Sequence, residues 1–243
     1  MLILDFDGVI ADAFTECALV TWYADRDPAE VAARPLAERA AELPPEFLNR
    51  FRTVREHARV LGDFMVARHP ASGAITGPAD YRALAAALPA PERARLVAGA
   101  SAVRARLSAE RRAEWLGLHT LYPGIPALLE RHRGGSTAVV TAKDEKSVWE
   151  ILGHHGLADT VAQVVGDCSD KATAVRDLAA AEGLEPADVT FVDDHIANTL
   201  AVGATGATAL WAWWGYHTAD HVAIADRHGQ RRLQLADLAT LSV

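Results

Sequence analysis

The chain has 243 residues, half of them hydrophobic and 23% charged, and a formal net charge of −8. That composition argues against a disordered chain, and the acidic balance argues against nucleic acid as the main partner. No apolar run nears the roughly 20 residues of a membrane span and no secretory leader pattern opens the chain. The expectation is therefore a cytoplasmic protein with a small-molecule partner and no membrane contact, while the oligomeric state stays open.

In chain order, residues 2 to 6 read as a buried strand that runs into "DFDG". From about 13 to 118 the pattern is helical, rich in Ala, Leu, Arg and Glu, and is punctuated by Pro28, Pro35, Pro44-Pro45, Pro70, Pro78, Pro89 and Pro91. Four to six helices and no strand are expected there. After "LYPGIP" at 121 to 126, strands at 136–141, 161–166, 189–194 and 207–213 alternate with helices at about 126–133, 145–153, 170–182 and 196–204. Alternation of this kind predicts an α/β fold: a Rossmann-like parallel sheet of about five strands with helices on both faces. The first strand needs that sheet as its partner, so residues 1–12 and 119–243 form one core and 13–118 a helical insertion. Charge follows the same division, with a net of +2 on the insertion and −10 on the remainder.

Cys17 and Cys168 are far apart and form no metal-binding pair, so neither a disulfide framework nor a zinc site is expected. Of 24 basic residues only Lys143, Lys146 and Lys171 are lysines. A lysine in this chain is therefore an unusual choice.

In open parallel sheets ligands bind beyond the carboxyl ends of the strands, and that is where the polar residues collect. Asp5 and Asp7 follow the first strand, Thr141 the second, and Asp193 and Asp194 the fourth, while Lys171 lies in the turn leaving the third. Clustered carboxylates repel one another unless a proton or a cation intervenes, and an all-oxygen set with open positions suits Mg²⁺. The backbone carbonyl of Asp7 is able to ligate while its carboxyl moves protons. Lys171 falls in the first turn of its helix, where the dipole disfavours a cation; a nearby carboxylate and a phosphate would reverse that penalty.

Taken as an ordered set, "DFDGV", "VVTAKD", Lys171 and "FVDDHIANTLAVGATG" resemble the four motifs of the haloacid dehalogenase superfamily of phosphatases and phosphotransferases. The long helical insertion after the first motif, and the return through "LYPGIPALLERH", are similar to phosphoglycolate-phosphatase-like members with a helical cap. The resemblance implies Asp5 as the nucleophile that forms an aspartyl-phosphate, and Asp7 as general acid and then base. It implies Thr141 and the backbone N–H of Ala142 around the transferring phosphoryl group, with Gly8 letting the chain turn beside it and Lys171 balancing charge. Mg²⁺ would be held by Asp5, the carbonyl of Asp7 and Asp194, with Asp193 and Asn198 supporting the ligand. Asn198 stands where many members carry a further aspartate. Asp7 favours phosphate esters over carbon–halogen bonds, because dehalogenases of the superfamily lack this second acid.

The activity implied is hydrolysis of a small phosphorylated metabolite. A phosphosugar mutase and a catalytically silent binding protein on the same fold are the alternatives. Three further features read as structural. "WAWWGYH" at 211–217 reads as a buried strand end, His154-His155 as a helix terminus, and Arg52, Arg55 and Arg59 as a solvated helix face. His195, which follows the acids directly, either orients Asp194 or faces solvent.

Overall fold

A computed structural model describes residues 1–241, which divide into two compact units: Met1–Asp12 with Thr120 onward, and Ala13–His119. The chain opens with β1 (Leu2–Leu4) and the short β2 (Ala11–Asp12). It continues through α1 (Phe14–Trp22), α2 (Pro28–Ala32), α3 (Leu36–Ala41), α4 (Pro45–Arg55), α5 (Leu61–Phe64), α6 (Pro78–Ala87), α7 (Ala90–Glu110) and α8 (Arg112–Leu116). Then follow β3 (Thr120–Leu121), α9 (Ile125–Arg131), β4 (Thr137–Val140), α10 (Glu145–His154), β5 (Gln163–Val165) and α11 (Lys171–Ala181). The last elements are β6 (Thr190–Asp193), α12 (Ile196–Gly203), β7 (Thr208–Ala212), α13 (Ala219–His228) and β8 (Arg232–Leu233).

In the first unit, six strands form one parallel sheet in the order β5-β4-β1-β6-β7-β8. The sheet has one strand more than the sequence suggests, because the short edge strand β8 pairs beside β7. The run "LIL" of β1 is buried on both faces, as a central parallel strand demands. Its register sets Leu4 against Val139 on one side and Val192 on the other. Strand order reverses about β1, so the loops leaving β1, β4 and β6 share the crevice at the switch point. One face is sealed by Val175, Leu178 and Ala179 of α11 and Val202 of α12 against Ile3, Val140 and Phe191. Beside this sheet β2 and β3 pair antiparallel, joining Ala11 to Leu121 and Asp12 to Thr120.

The second unit is all helical among its described residues, but its eight α-helices exceed the expected four to six. Proline explains the difference. Pro28, Pro45, Pro78 and Pro91 sit in the first turn of their helices, where the missing N–H is harmless, and each marks a fresh start. The long α7 buries Leu96, Ala100, Val103 and Leu107 at spacings of four, three and four, a single apolar stripe. Glu16 lies wholly buried on α1, paired with Arg104 of α7 through contacts of 2.7 and 2.9 Å and approached by the Trp115 indole. Arg55, expected on a solvated face, is instead buried with its guanidinium 5.3 Å from the Phe64 ring centroid.

Gly99 of α7 tests the packing. Alanine would gain about 1 kcal/mol of helix propensity there, but a Cβ would stand 1.8 Å from the Ala24 carbonyl oxygen. The backbone clash wins, so Gly99→Ala is expected to destabilise the protein by about 2 kcal/mol or more in urea unfolding; a neutral or stabilising result would show that α7 moves freely away from Ala24.

Candidate active site

Each strand of the crevice delivers its polar residue at its carboxyl end. Asp5 follows β1 directly, and its Oδ1 accepts the N–H of Phe6 at 2.7 Å. Thr141 follows β4 on the neighbouring strand; its N–H donates to Val165 and its hydroxyl oxygen accepts the N–H of Lys143. Asp193 ends β6 and Asp194 comes next, both buried. Lys171 is the first residue of α11, whose N-cap Asp170 accepts the N–H of Thr173. Ala142 is half-buried beside Thr141.

The structure brings Asp5, Lys171 and Asp193 together: the ammonium lies 2.8 Å from Asp5 and 2.7 Å from Asp193. Asp193 also accepts the N–H of His195 at 2.7 Å and the amide of Asn198 at 3.1 and 3.2 Å. Both its oxygens are thus engaged by protein donors. Asp194 Oδ2 accepts the N–H of Tyr216 at 2.8 Å. Gly8, at φ +93°, has no room for a side chain: a Cβ would lie 2.2 Å from Asp194 Oδ2.

Burial raises the carboxyl of Asp5 to about 6; Lys171 opposes the rise and Asp193 adds to it. Burial depresses the Lys171 ammonium, but Asp193 and Asp5 outweigh it and hold the group above the ordinary lysine range. One cation therefore serves a group of three buried acids, Asp5, Asp193 and Asp194, whose candidate ligand oxygens lie within 4.8 Å of one another. When all are ionised the surplus is two negative charges, held by hard oxygen donors. A divalent cation of the Mg²⁺ type fits that donor set.

Sequence reasoning passed over two contributions. Lys143, noticed only because lysine is scarce, is buried with its ammonium 3.3 Å from both carboxylate oxygens of Asp7. Two of the three lysines thus flank the two acids of "DFD", one each, while Lys146 is exposed. The second is the segment 211–217. It does pack, with Trp211 buried, but the Trp211 indole also donates to the Asp194 carbonyl at 2.7 Å. His195 lies with its ring 5.3 Å from that of the buried His221, and its backbone N–H donates to Asp193 Oδ1. α10 ends at His154, as the sequence suggests.

The family model described as haloacid dehalogenase-like hydrolase matches residues 1–206. A phosphoglycolate phosphatase of Vibrio vulnificus (strain CMCP6) is 29% identical over 116 residues, which are 45% of this chain and 51% of that protein. The chain thus spans about half the length of the curated relative it matches. Among solved structures, a protein of Haemophilus somnus 129PT described as a predicted phosphoglycolate phosphatase superposes with a TM-score of 0.67 at 21% identity, covering 99% of this chain and 96% of that one. A haloacid dehalogenase-like family protein of Streptococcus pneumoniae gives 0.62 at 15% identity, covering 99% and 97%. Both likenesses concern the fold.

The raised carboxyl of Asp5 has a stability consequence. A group that binds its proton more tightly when folded stabilises the fold in acid, and that contribution is lost as pH climbs from near 3.8 through about 6. In metal-free buffer Asp5→Asn is therefore expected to be more stable than the parent at pH 7.5, by on the order of 2–3 kcal/mol, and to lose the advantage toward pH 4. Parallel urea-unfolding curves at the two pH values would contradict it.

Proposed function

We propose that this chain, which belongs to the haloacid dehalogenase-like hydrolase family, is a Mg²⁺-dependent phosphomonoesterase acting on a small phosphorylated metabolite. The observation that carries the reading is the separate treatment of two acids one residue apart. Asp5 shares Lys171 with Asp193 inside the acidic group, while Asp7 has its own lysine, Lys143, outside it. Separate surroundings let two like groups take separate tasks.

In this reading the Asp5 carboxylate attacks phosphorus as the ester bond to the leaving oxygen breaks, giving an aspartyl-phosphate. Asp7 gives its proton to the leaving oxygen and then takes one from the water that hydrolyses the intermediate, releasing phosphate and restoring Asp5. The Thr141 hydroxyl and the N–H of Ala142 hold the phosphoryl oxygens, and Lys171 offsets charge on Asp5 and the phosphoryl group. Lys143 fixes the direction of the Asp7 side chain. Asp5, the Asp7 carbonyl and Asp194 would hold Mg²⁺, which when bound neutralises developing charge on phosphoryl oxygens. Asp194 is preferred to Asp193 because the family spacing from the metal aspartate to the later glycine fits Asp194 to Gly206, while Asp193 is engaged by Lys171, His195 and Asn198.

The helical unit, residues 13–119, is assigned the choice of substrate as the family-type cap. The name of the Vibrio relative puts 2-phosphoglycolate first among compounds to test. No described helix is long and apolar enough to cross a membrane, and two free cysteines suit a reducing compartment, which supports a cytoplasmic site of action.

Assay of para-nitrophenyl phosphate and a panel of phosphorylated metabolites checks the reading. Hydrolysis is expected with Mg²⁺, its loss with EDTA, and its abolition by Asp5→Asn; activity that survives that change would remove Asp5 as nucleophile. Lys143→Met is expected to lower kcat by about tenfold or more while KM changes little, since the acid–base step alone is misdirected.

A further inference from the structure

The segment 211–217 does more than end a strand. A Cβ on Gly215 would lie 2.2 Å from the Asp194 Cβ and 2.6 Å from the Gly8 carbonyl oxygen. The two glycine backbones, one after β1 and one after β7, therefore pack directly against Asp194. From the same segment the Trp214 indole donates to the Val9 carbonyl at 3.2 Å. Tyr216 is engaged at both ends: its N–H donates to Asp194 Oδ2 at 2.8 Å, and its phenol donates to Asp12 Oδ1 at 2.6 Å.

Asp12 occupies a particular place in the chain. It is the last residue before the chain leaves the sheet unit, and through β2 it pairs with Thr120, the residue at which the chain returns. Tyr122 adds a further bond from its N–H to the Ile10 carbonyl at 3.1 Å. A short phenol-to-carboxylate bond is among the stronger neutral–ionic contacts, and a tyrosine ring ordered by only two torsions transmits displacement with little slack.

We propose that Tyr216 is a positioning residue that couples the Asp194 carboxylate to the paired strands β2 and β3, through which the chain passes to and from the helical unit. The inference rests on the reading of Asp194 as a metal ligand for its consequence in catalysis: cation binding at Asp194 stiffens those strands, and loosening the strands weakens the cation. The link from Asp194 to Asp12 is also testable without metal.

The test is amide hydrogen exchange at residues 10–12 and 120–122 in the full chain, as parent, Tyr216→Phe, Asp194→Ala and the double variant, with Mg²⁺ affinity measured by calorimetry. Tyr216→Phe keeps the ring and the backbone N–H and deletes only the phenol oxygen. It is expected to speed exchange at those amides severalfold, to abolish the slowing that Mg²⁺ causes in the parent, and to weaken Mg²⁺ binding by about tenfold. In metal-free protein Asp194→Ala is expected to speed the same amides, with the double variant no faster than either single one, the non-additivity that coupling requires. Parent-like exchange and affinity in Tyr216→Phe, or strictly additive effects in the double variant, would overturn the coupling while leaving the phosphatase reading intact. A parent that binds no Mg²⁺ but keeps the non-additive exchange pattern would overturn the metal assignment and uphold the coupling.

Discussion

The constraint on which the rest of this structure depends is a buried surplus of negative charge. Asp5, Asp193 and Asp194 crowd the carboxyl edge of a parallel sheet, and a single ammonium stands between two of them. Taking carboxylates out of water is costly, and one lysine does not compensate three. The surroundings answer that cost locally. Asn198 and the N–H of His195 turn toward Asp193, the N–H of Tyr216 toward Asp194, and the N–H of Phe6 toward Asp5. What these donors leave uncompensated is net negative charge on hard oxygen atoms, a donor set that suits a small, hard cation.

Much of this edge is legible in the sequence because its causes are local. An apolar run that stops at an acid announces a strand end, and a helix that begins with lysine announces that something nearby favours a cation. The parts that escape sequence reasoning have distant or unmarked partners. Lys143 meets Asp7 across 136 positions, and nothing near Lys143 in the chain indicates where its ammonium goes. Tyr216 reaches Asp194 through its backbone N–H and Trp211 reaches only the Asp194 backbone carbonyl, contacts that no residue-type pattern in "WAWWGYH" marks.

The helical unit shows the same division of legibility. Its helical character follows from composition, but the number of helices depends on whether each proline interrupts a helix or opens one. Pro28, Pro45, Pro78 and Pro91 all open one, which raises the number of helices. Arg55 reads as solvated because Arg52, Arg55 and Arg59 recur at helical spacing; it is instead buried, and its guanidinium sits over the Phe64 ring.

The position of β1 also imposes an order on the birth of the protein. Leu2 leaves the ribosome well before its two partners, Thr137 and Thr190. The helical unit, contiguous from Ala13 to His119, is complete before either partner exists. The central strand and the acid it carries must therefore wait as an unpaired apolar segment while the helices gather, and long-range pairing of this kind is the slow step in assembling such sheets. A chain that ends before residue 171 holds Asp5 without Lys171, Asp193 or Asp194, so the acidic group and its lysine come together only after residue 194 has been made.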